Sequence, residues 1–185
     1  MSETSPYFHW QQPSDLLALT EVDSELLGED RKRRAGKDFR EAFIAARFAE
    51  FVGAEAVRLL PPVGNQPTPD FATKLQSAEF WYETTEIDRP GRQRGAEPPL
   101  VAPTQVRPHE WVGSADYLSV LKERSANKAQ KEYANCIGLI IYDNAWPLQD
   151  PENLTPEWWR NGTVEARARF TEVWSFDGQA FALIT

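Results

Sequence analysis

The chain is poor in the two residue types that most often staple small proteins or bind zinc. It has one cysteine, Cys136, which has no partner for an internal disulfide. It also has two histidines, His9 and His109, which lie far apart in the sequence and offer no zinc ligand set. These counts exclude a disulfide scaffold, argue against a zinc enzyme and favour an intracellular protein.

Long hydrophobic runs are also missing. The longest apolar run, Ile137 to Tyr142, is far too short to span a bilayer. The N-terminus has no positively charged start followed by an apolar stretch, which is the pattern of a secretion signal. We therefore expect a cytoplasmic protein that does not partner with a membrane.

Positive charge is in deficit as well. The chain carries 20 basic and 28 acidic residues, which gives a formal net charge of -8. A chain with this charge repels nucleic acid unless a local basic surface or bridging cations hold it. Basic residues do cluster at Arg31, Lys32, Arg33 and Arg34, and a metal site built from carboxylates is itself acidic. The charge counts against a nuclease without excluding one.

What the chain does have is enough apolar material for one domain. Of its 185 residues, 41% are hydrophobic, which suits a single domain with a substantial core. Residues 1–28 mix aromatics, prolines and acids without sustained periodicity, which indicates an N-terminal arm that packs on the body or stays mobile. Residues 29–185 are expected to form the single domain. The sequence does not indicate an oligomeric state.

The periodicity of apolar residues predicts helices and strands in alternation. Predicted helices cover residues 29–54, 116–134 and 156–169, and predicted strands cover 56–60, 71–75, 79–87 and 137–142, with a terminal hairpin at 170–176 and 180–184. Residues 88–112 contain five prolines and form a loop of the length that is usually functional or disordered. The predicted fold is α/β, a mixed central sheet flanked by helices.

A carboxylate lies inside the strongest predicted strand. Glu83 belongs to the apolar run from Phe80 to Thr85, and a carboxylate there is costly to desolvate without a partner. Because alternate residues of a strand share a face, Glu83 and Thr85 point the same way. If the preceding strand pairs antiparallel with this one, Asp70 approaches that end of its partner. Asp70 and Glu83 would then bracket an oxygen-seeking cation such as Mg²⁺ or Mn²⁺.

These residues resemble the motif of the restriction-endonuclease-like superfamily, the PD-(D/E)xK nucleases. The family pattern is a proline-aspartate, a spacer, and then an acid, any residue and a lysine on the next strand; this chain has Pro69-Asp70 and then Glu83-Thr84-Thr85. The predicted helix-strand-strand-strand-helix-strand order of residues 29–142 agrees with the family core, followed here by a C-terminal helix and hairpin. The resemblance implies metal-dependent hydrolysis of DNA or RNA. Thr85 departs from the pattern because a hydroxyl cannot supply the positive charge of the family lysine.

Some superfamily members carry the basic residue on the helix after the third strand, and Lys128 is the candidate here. On a helical wheel it lies about 20° from Leu121, inside the apolar stripe, where a lysine must extend toward a polar site. Arg124 and Lys131 flank it as expected phosphate contacts. A solvated helix residue is the alternative role for Lys128.

Other candidate residues have a structural and a functional interpretation. Glu41 falls in the apolar stripe of the first predicted helix, where superfamily members often carry an acid that helps hold the metal; a structural salt bridge is the alternative. Arg33 and Arg34 either contact nucleic acid or face solvent. Trp158, Trp159 and Arg160 either stack on unpaired bases or pack a helix onto a sheet.

The sequence thus predicts a magnesium-dependent nuclease in which Asp70 and Glu83 hold the metal, Glu41 assists, Thr85 orders the attacking water and Lys128 stabilises the phosphate. The alternative is a degenerate nuclease-like domain that acts as a binding or regulatory protein. The proline-rich loop of residues 88–112 suits contacts with a protein partner, and nucleic acid remains a possible partner as well. A third possibility is an ordinary mixed α/β domain whose ligand lies elsewhere.

Overall fold

A computed structural model describes residues 5–26, 35–87, 114–143 and 155–185. The described chain begins with a short 3-10 helix at Pro6–Phe8. The α-helices are α1 (Pro13–Leu26), α2 (Ala35–Val52), α3 (Ser114–Ala129), α4 (Pro156–Gly162) and α5 (Val164–Arg169). The strands are β1 (Ala56–Leu59), β2 (Phe71–Leu75), β3 (Ala78–Ile87), β4 (Cys136–Asp143), β5 (Glu172–Phe176) and β6 (Phe181–Leu183).

The six strands form one sheet in the order β1-β2-β3-β4-β5-β6. Strand β2 pairs antiparallel with both β1 and β3, and β5 pairs antiparallel with β6. The mixed α/β class predicted from the sequence is confirmed. Two compact units make up the chain. The first unit comprises Met1–Thr84 with Lys131–Ile140, and the second unit comprises Thr85–Gln130 with Ile141–Thr185.

The core of the first unit lies between α2 and the hairpin of β2 and β3. Small residues on α2 let the helix approach the sheet closely, and they are fully buried: Ala42, Ala45, Ala46 and Ala49. Phe48 fills the space among them, and its ring meets Phe71 and Tyr82 edge-on at 6.1 and 4.8 Å between centroids. Phe71 and Tyr82 stack on each other at 5.3 Å. Burying these rings stabilises the unit because aromatic side chains remove large apolar areas from water.

Helix α1 also belongs to the first unit, although the sequence predicted only an arm there. Among the α1 side chains whose burial the structure describes, residues 13–21, Leu16 and Thr20 are one helical turn apart and almost fully buried. The Thr20 hydroxyl donates to the Leu17 carbonyl at 2.7 Å. A threonine in the buried stripe weakens the apolar periodicity of the sequence, which explains why the helix was missed.

The N-terminal segment is tied to β1 and β2 by hydrogen bonds and by a cation-aromatic cluster. Gln11 and Val57 exchange backbone hydrogen bonds at 2.9 and 3.2 Å. The Trp10 ring lies under two cations, with the Arg58 guanidinium 4.6 Å and the Lys74 ammonium 4.3 Å from its centroid. The attraction of each cation to the ring offsets part of the repulsion between the two positive charges.

We expect Trp10→Ala to lower the free energy of unfolding by about 1–2 kcal/mol, because each cation-aromatic contact contributes roughly 0.5–1 kcal/mol. Urea denaturation of the variant and the wild type measures the difference. Trp10→Phe is the matched control, since it keeps a ring beneath both cations and should retain most of the stability. Equal stability of Trp10→Ala and the wild type would show that the cluster contributes nothing.

The core of the second unit forms where α3 meets α4 and α5. Tyr117, Leu121 and Ser125 follow one stripe of α3 and are almost completely buried. The Ser125 hydroxyl donates to the Gly162 carbonyl at 2.9 Å, and the Tyr117 ring stacks on Trp158 at 5.1 Å. The glycine at this point lets the two helices approach each other closely.

Two predicted helix boundaries were wrong. The predicted helix 156–169 is divided into α4 and α5 at Thr163, whose φ of -123° and ψ of 20° leave the helical range. The Thr163 hydroxyl donates back to the Trp159 carbonyl at 2.8 Å, a local bond that competes with the helical ladder. Helix α3 ends at Ala129 and not at residue 134, and Asn135 beyond it has a φ of 60°, which a continuing right-handed helix cannot contain.

Candidate functional site

The candidate site of the first unit is built on the hairpin of β2 and β3. Gln76 and Ser77 both have positive φ, 49° and 67°, as the two central residues of a tight hairpin turn do. The turn sets Leu75 opposite Ala78, and the register continues to Phe71 opposite Tyr82. The turn therefore fixes which part of β3 lies beside the residue that precedes β2.

That residue is Asp70, and it interrupts the regular pairing. Its backbone N–H donates to the Tyr82 carbonyl at 2.9 Å, although Tyr82 already pairs with Phe71. Two residues of one strand thus face one residue of the other, which is the arrangement of a β-bulge. Pro69, which precedes Asp70, has no N–H to continue the ladder. A bulge redirects the side chain at its position.

The Asp70 carboxylate is directed at Thr84. Its Oδ2 atom accepts hydrogen bonds from the Thr84 backbone N–H and from the Thr84 hydroxyl, each at 2.7 Å. Hydrogen bonds to an ionised carboxylate are short and about twice as strong as neutral ones. The carboxylate therefore takes the place of the next backbone partner of β3 and is held in a fixed orientation.

The sequence predicted that Asp70 approaches the end of β3 where Glu83 and Thr85 lie, and the structure gives it Thr84 as a partner. Thr84 lies between the two residues, and its side chain belongs to the opposite face of a regular strand. The antiparallel pairing on which the prediction depended is present.

Glu83 follows Tyr82 on β3 and is buried, with 3% of its surface exposed. Its neighbour Thr84 is 4% exposed. Removing a carboxylate this deep from water costs several kcal/mol unless a nearby charge or hydrogen bonds compensate it. Glu83 is thus the buried acid of the site. Thr84, the next residue in the chain, donates its backbone N–H to Asp70.

The structure describes all three predicted metal ligands, Asp70, Glu83 and Glu41. Glu41 lies half-buried on α2. Within the part of the chain that the structure describes, no three or more His, Cys, Asp or Glu side chains come together in a group that could hold a metal ion. Mg²⁺ needs only one or two protein carboxylates, because water and substrate phosphates complete its octahedron. The metal-binding roles of Asp70, Glu83 and Glu41 stay predictions.

In the second unit, β3 continues with two more buried polar residues. Thr85, the predicted water-ordering residue, is 6% exposed, and Glu86 is 8% exposed. The Tyr142 hydroxyl donates to Glu86 Oε2 at 3.2 Å. Glu86 was not among the residues predicted from the sequence. Its signal was a second glutamate in the same apolar strand, three residues after the first.

The predicted basic residues occupy different environments. Lys128 is half-buried near the C-terminal end of α3, and Arg124 is exposed on the same helix. Lys131 lies beyond the end of α3, so the helical-wheel position assigned to it was wrong, while its role as a phosphate contact stays a prediction. Arg33, Arg34 and the predicted loop 88–112 lie outside the described residues.

No family model, curated protein or solved structure matches this chain. Its function is therefore argued from its own residues and geometry. None of the helices in the described ranges 5–26, 35–87, 114–143 and 155–185 is both long and apolar enough to cross a membrane.

Proposed function

We propose that this protein is a metal-dependent nuclease that hydrolyses phosphodiester bonds of DNA or RNA. The observation that supports the proposal is that the Asp70 carboxylate is held by Thr84, the chain neighbour of the buried Glu83. Two carboxylates suit Mg²⁺ or Mn²⁺, which are bound through oxygen and retain positions for water and phosphate.

Each residue of the proposed site has one task. Asp70 and Glu83 would hold the cation, which when bound polarises the phosphate and promotes ionisation of the attacking water. Thr84 orients Asp70 through its N–H and hydroxyl, the task of an outer residue that fixes a metal ligand. Burial of Glu83 strengthens its attraction for a cation because the local dielectric is lower than that of water.

The remaining tasks come from the superfamily resemblance. A pentavalent phosphate develops negative charge, and the residue at the usual lysine position, Thr85, cannot offset it. Lys128 is assigned that charge, and Thr85 is assigned the ordering of the attacking water. The restriction-endonuclease-like topology itself is part of the proposal.

Magnesium-dependent cleavage tests the proposed function. Labelled single-stranded and duplex DNA and RNA are incubated with the protein and Mg²⁺, with Mn²⁺, or with a chelator, and the products are separated on a denaturing gel. We expect cleavage with either metal and none with the chelator. Lys128→Ala should reduce the rate by about a hundredfold, as loss of a charge-stabilising group does. Cleavage that does not depend on the metal would contradict the proposal.

A second candidate function is binding without cleavage. The observation that favours it is the pair of 2.7 Å hydrogen bonds from Thr84, which orient Asp70 as a capping residue of the strand. Thr85 at the lysine position favours the same conclusion. The two candidates differ in one result: a binding protein forms a complex with nucleic acid or a protein partner and leaves every phosphodiester bond intact with both metals.

A further inference from the structure

A pocket in the second unit is built from α4, the hairpin of β5 and β6, and the residues that end the chain. Its volume is about 380 Å³, and its walls are mostly apolar. Trp159 and Arg160 line it from α4, and Ser175, Ala182 and Leu183 line it from the hairpin. Leu183 is 47% exposed. The pocket combines an apolar wall, an indole and a guanidinium.

The two adjacent tryptophans of α4 have different tasks. The Trp158 ring, itself half-buried, stacks on the buried Tyr117 at 5.1 Å and an interplanar angle of 17°, so it packs against the core. The Trp159 ring meets Trp158 edge-on, with centroids 5.3 Å apart and planes at 83°, and it lines the pocket. Trp159 is thus a half-buried ring braced by a packed neighbour, and a ligand that stacks on it does not have to order it first.

The charges of the pocket also have different tasks. The Asp177 carboxylate accepts hydrogen bonds from the Gln179 and Ala180 backbone N–H groups, each at 2.8 Å, so it stabilises the hairpin turn. Arg160 is exposed on α4 beside Trp159. A guanidinium beside an aromatic ring recognises an anion attached to a planar group, because it binds phosphate in a forked geometry.

We propose that this pocket binds a nucleotide whose base is unpaired, with the base stacked on Trp159 and its phosphate bound by Arg160. Any of the bases can stack, since each has a π-face. The inference rests on the proposed function and adds to it the substrate class: the nuclease acts on nucleic acid that has a single-stranded segment. A base inside an intact duplex is stacked on its neighbours and does not reach the pocket.

Fluorescence anisotropy of a labelled oligothymidylate tests the inference with the full chain in a chelator, so that no cleavage occurs. We expect Trp159→Ala to weaken binding about tenfold and Trp159→Phe to retain most of it, since stacking on one aromatic ring contributes on this scale. Arg160→Gln should lower the slope of log affinity against log salt by about 0.7, the change expected for one phosphate contact on a single strand. Arg169 is an exposed arginine of α5 that does not line the pocket. Arg169→Gln is therefore the matched control and should keep the wild-type salt dependence.

Thymidine monophosphate and a duplex of the same length are the other ligands. The duplex should bind with the same affinity to the wild type and to Trp159→Ala. If the monophosphate binds as tightly as the strand, the natural ligand is a free nucleotide; if the strand binds more tightly, it is single-stranded nucleic acid. The indole N–H resonance of Trp159 is identified as the one that is missing from the NMR spectrum of Trp159→Phe. In the wild type this resonance should shift on binding, and this readout does not require Trp159→Ala to fold.

Equal oligothymidylate affinity of the wild type and Trp159→Ala, or an unchanged Trp159 indole resonance, would overturn the pocket assignment. Such a result together with magnesium-dependent cleavage would leave the proposed nuclease standing without this pocket. Binding that depends on Trp159, with no cleavage under any metal, would retain the pocket and remove the nuclease. The two failures are therefore distinguishable.

Discussion

Asp70→Asn is expected to abolish magnesium-dependent cleavage and to leave the fold intact. The amide oxygen of asparagine can still accept the hydrogen bonds that the Thr84 N–H and hydroxyl now donate to Asp70. It carries no charge, so it holds Mg²⁺ poorly. We expect the cleavage rate to fall by about a hundredfold or more, the scale on which preorganised charge contributes to catalysis. Single-turnover cleavage with saturating Mg²⁺ measures the loss.

Asp70→Ala separates catalysis from stability at the same position. It leaves the Thr84 N–H and hydroxyl without the acceptor that Asp70 provides, which costs roughly 1–3 kcal/mol of unfolding free energy. Asp70→Asn should unfold at nearly the same urea concentration as the wild type, and Asp70→Ala at a lower one. Wild-type cleavage by a stable Asp70→Asn would reduce Asp70 to a strand-capping residue.

Gly162→Ala is expected to destabilise the second unit strongly. A Cβ atom at this position would lie 2.7 Å from Leu121 Cγ and 3.2 Å from Leu118 Cδ1. Leu121 is fully buried, so it cannot move aside without disturbing its own packing. The Gly162 carbonyl also accepts the Ser125 hydroxyl, and a shift of the helix would break that bond. Overpacking of this kind costs about 1–3 kcal/mol and occasionally more.

Urea denaturation of a double mutant tests the cause of that loss. Leu121→Ala alone should be destabilising because it leaves a cavity, by roughly 2–5 kcal/mol. If the added methyl group overlaps with Leu121, Gly162→Ala in the Leu121→Ala background should cost far less than in the wild type, since the methyl then occupies vacated space. Additive losses would show that the glycine is needed for another reason.

The parts of the fold that could be predicted from the sequence are those whose patterns involve only residues close together in the chain. Strand β2 begins and ends where it was predicted, at Phe71–Leu75, because two-residue alternation and a tight turn are both local features. The start of β3 differs by one residue because the turn is centred on Gln76 and Ser77. The element order from α2 to β4 could be predicted for the same reason.

The parts that the sequence did not predict depend on partners distant in the chain. The bulge at Asp70 depends on hydrogen bonds with Tyr82 and Thr84. The alternation of apolar and polar residues along a strand does not indicate such bonds. Trp158 and Trp159 are the same residue type in adjacent positions. The buried Tyr117 of α3 determines that Trp158 packs and Trp159 lines a pocket.

The most direct test of the proposed metal site is a crystal soaked in Mn²⁺ and measured for anomalous scattering. We expect one anomalous peak bonded to carboxylate oxygens of both Asp70 and Glu83, at about the 2.0–2.2 Å expected for small divalent cations. The peak should be absent from crystals of Asp70→Asn. A wild-type crystal without manganese at these two residues, or with the same peak after the substitution, would contradict the account.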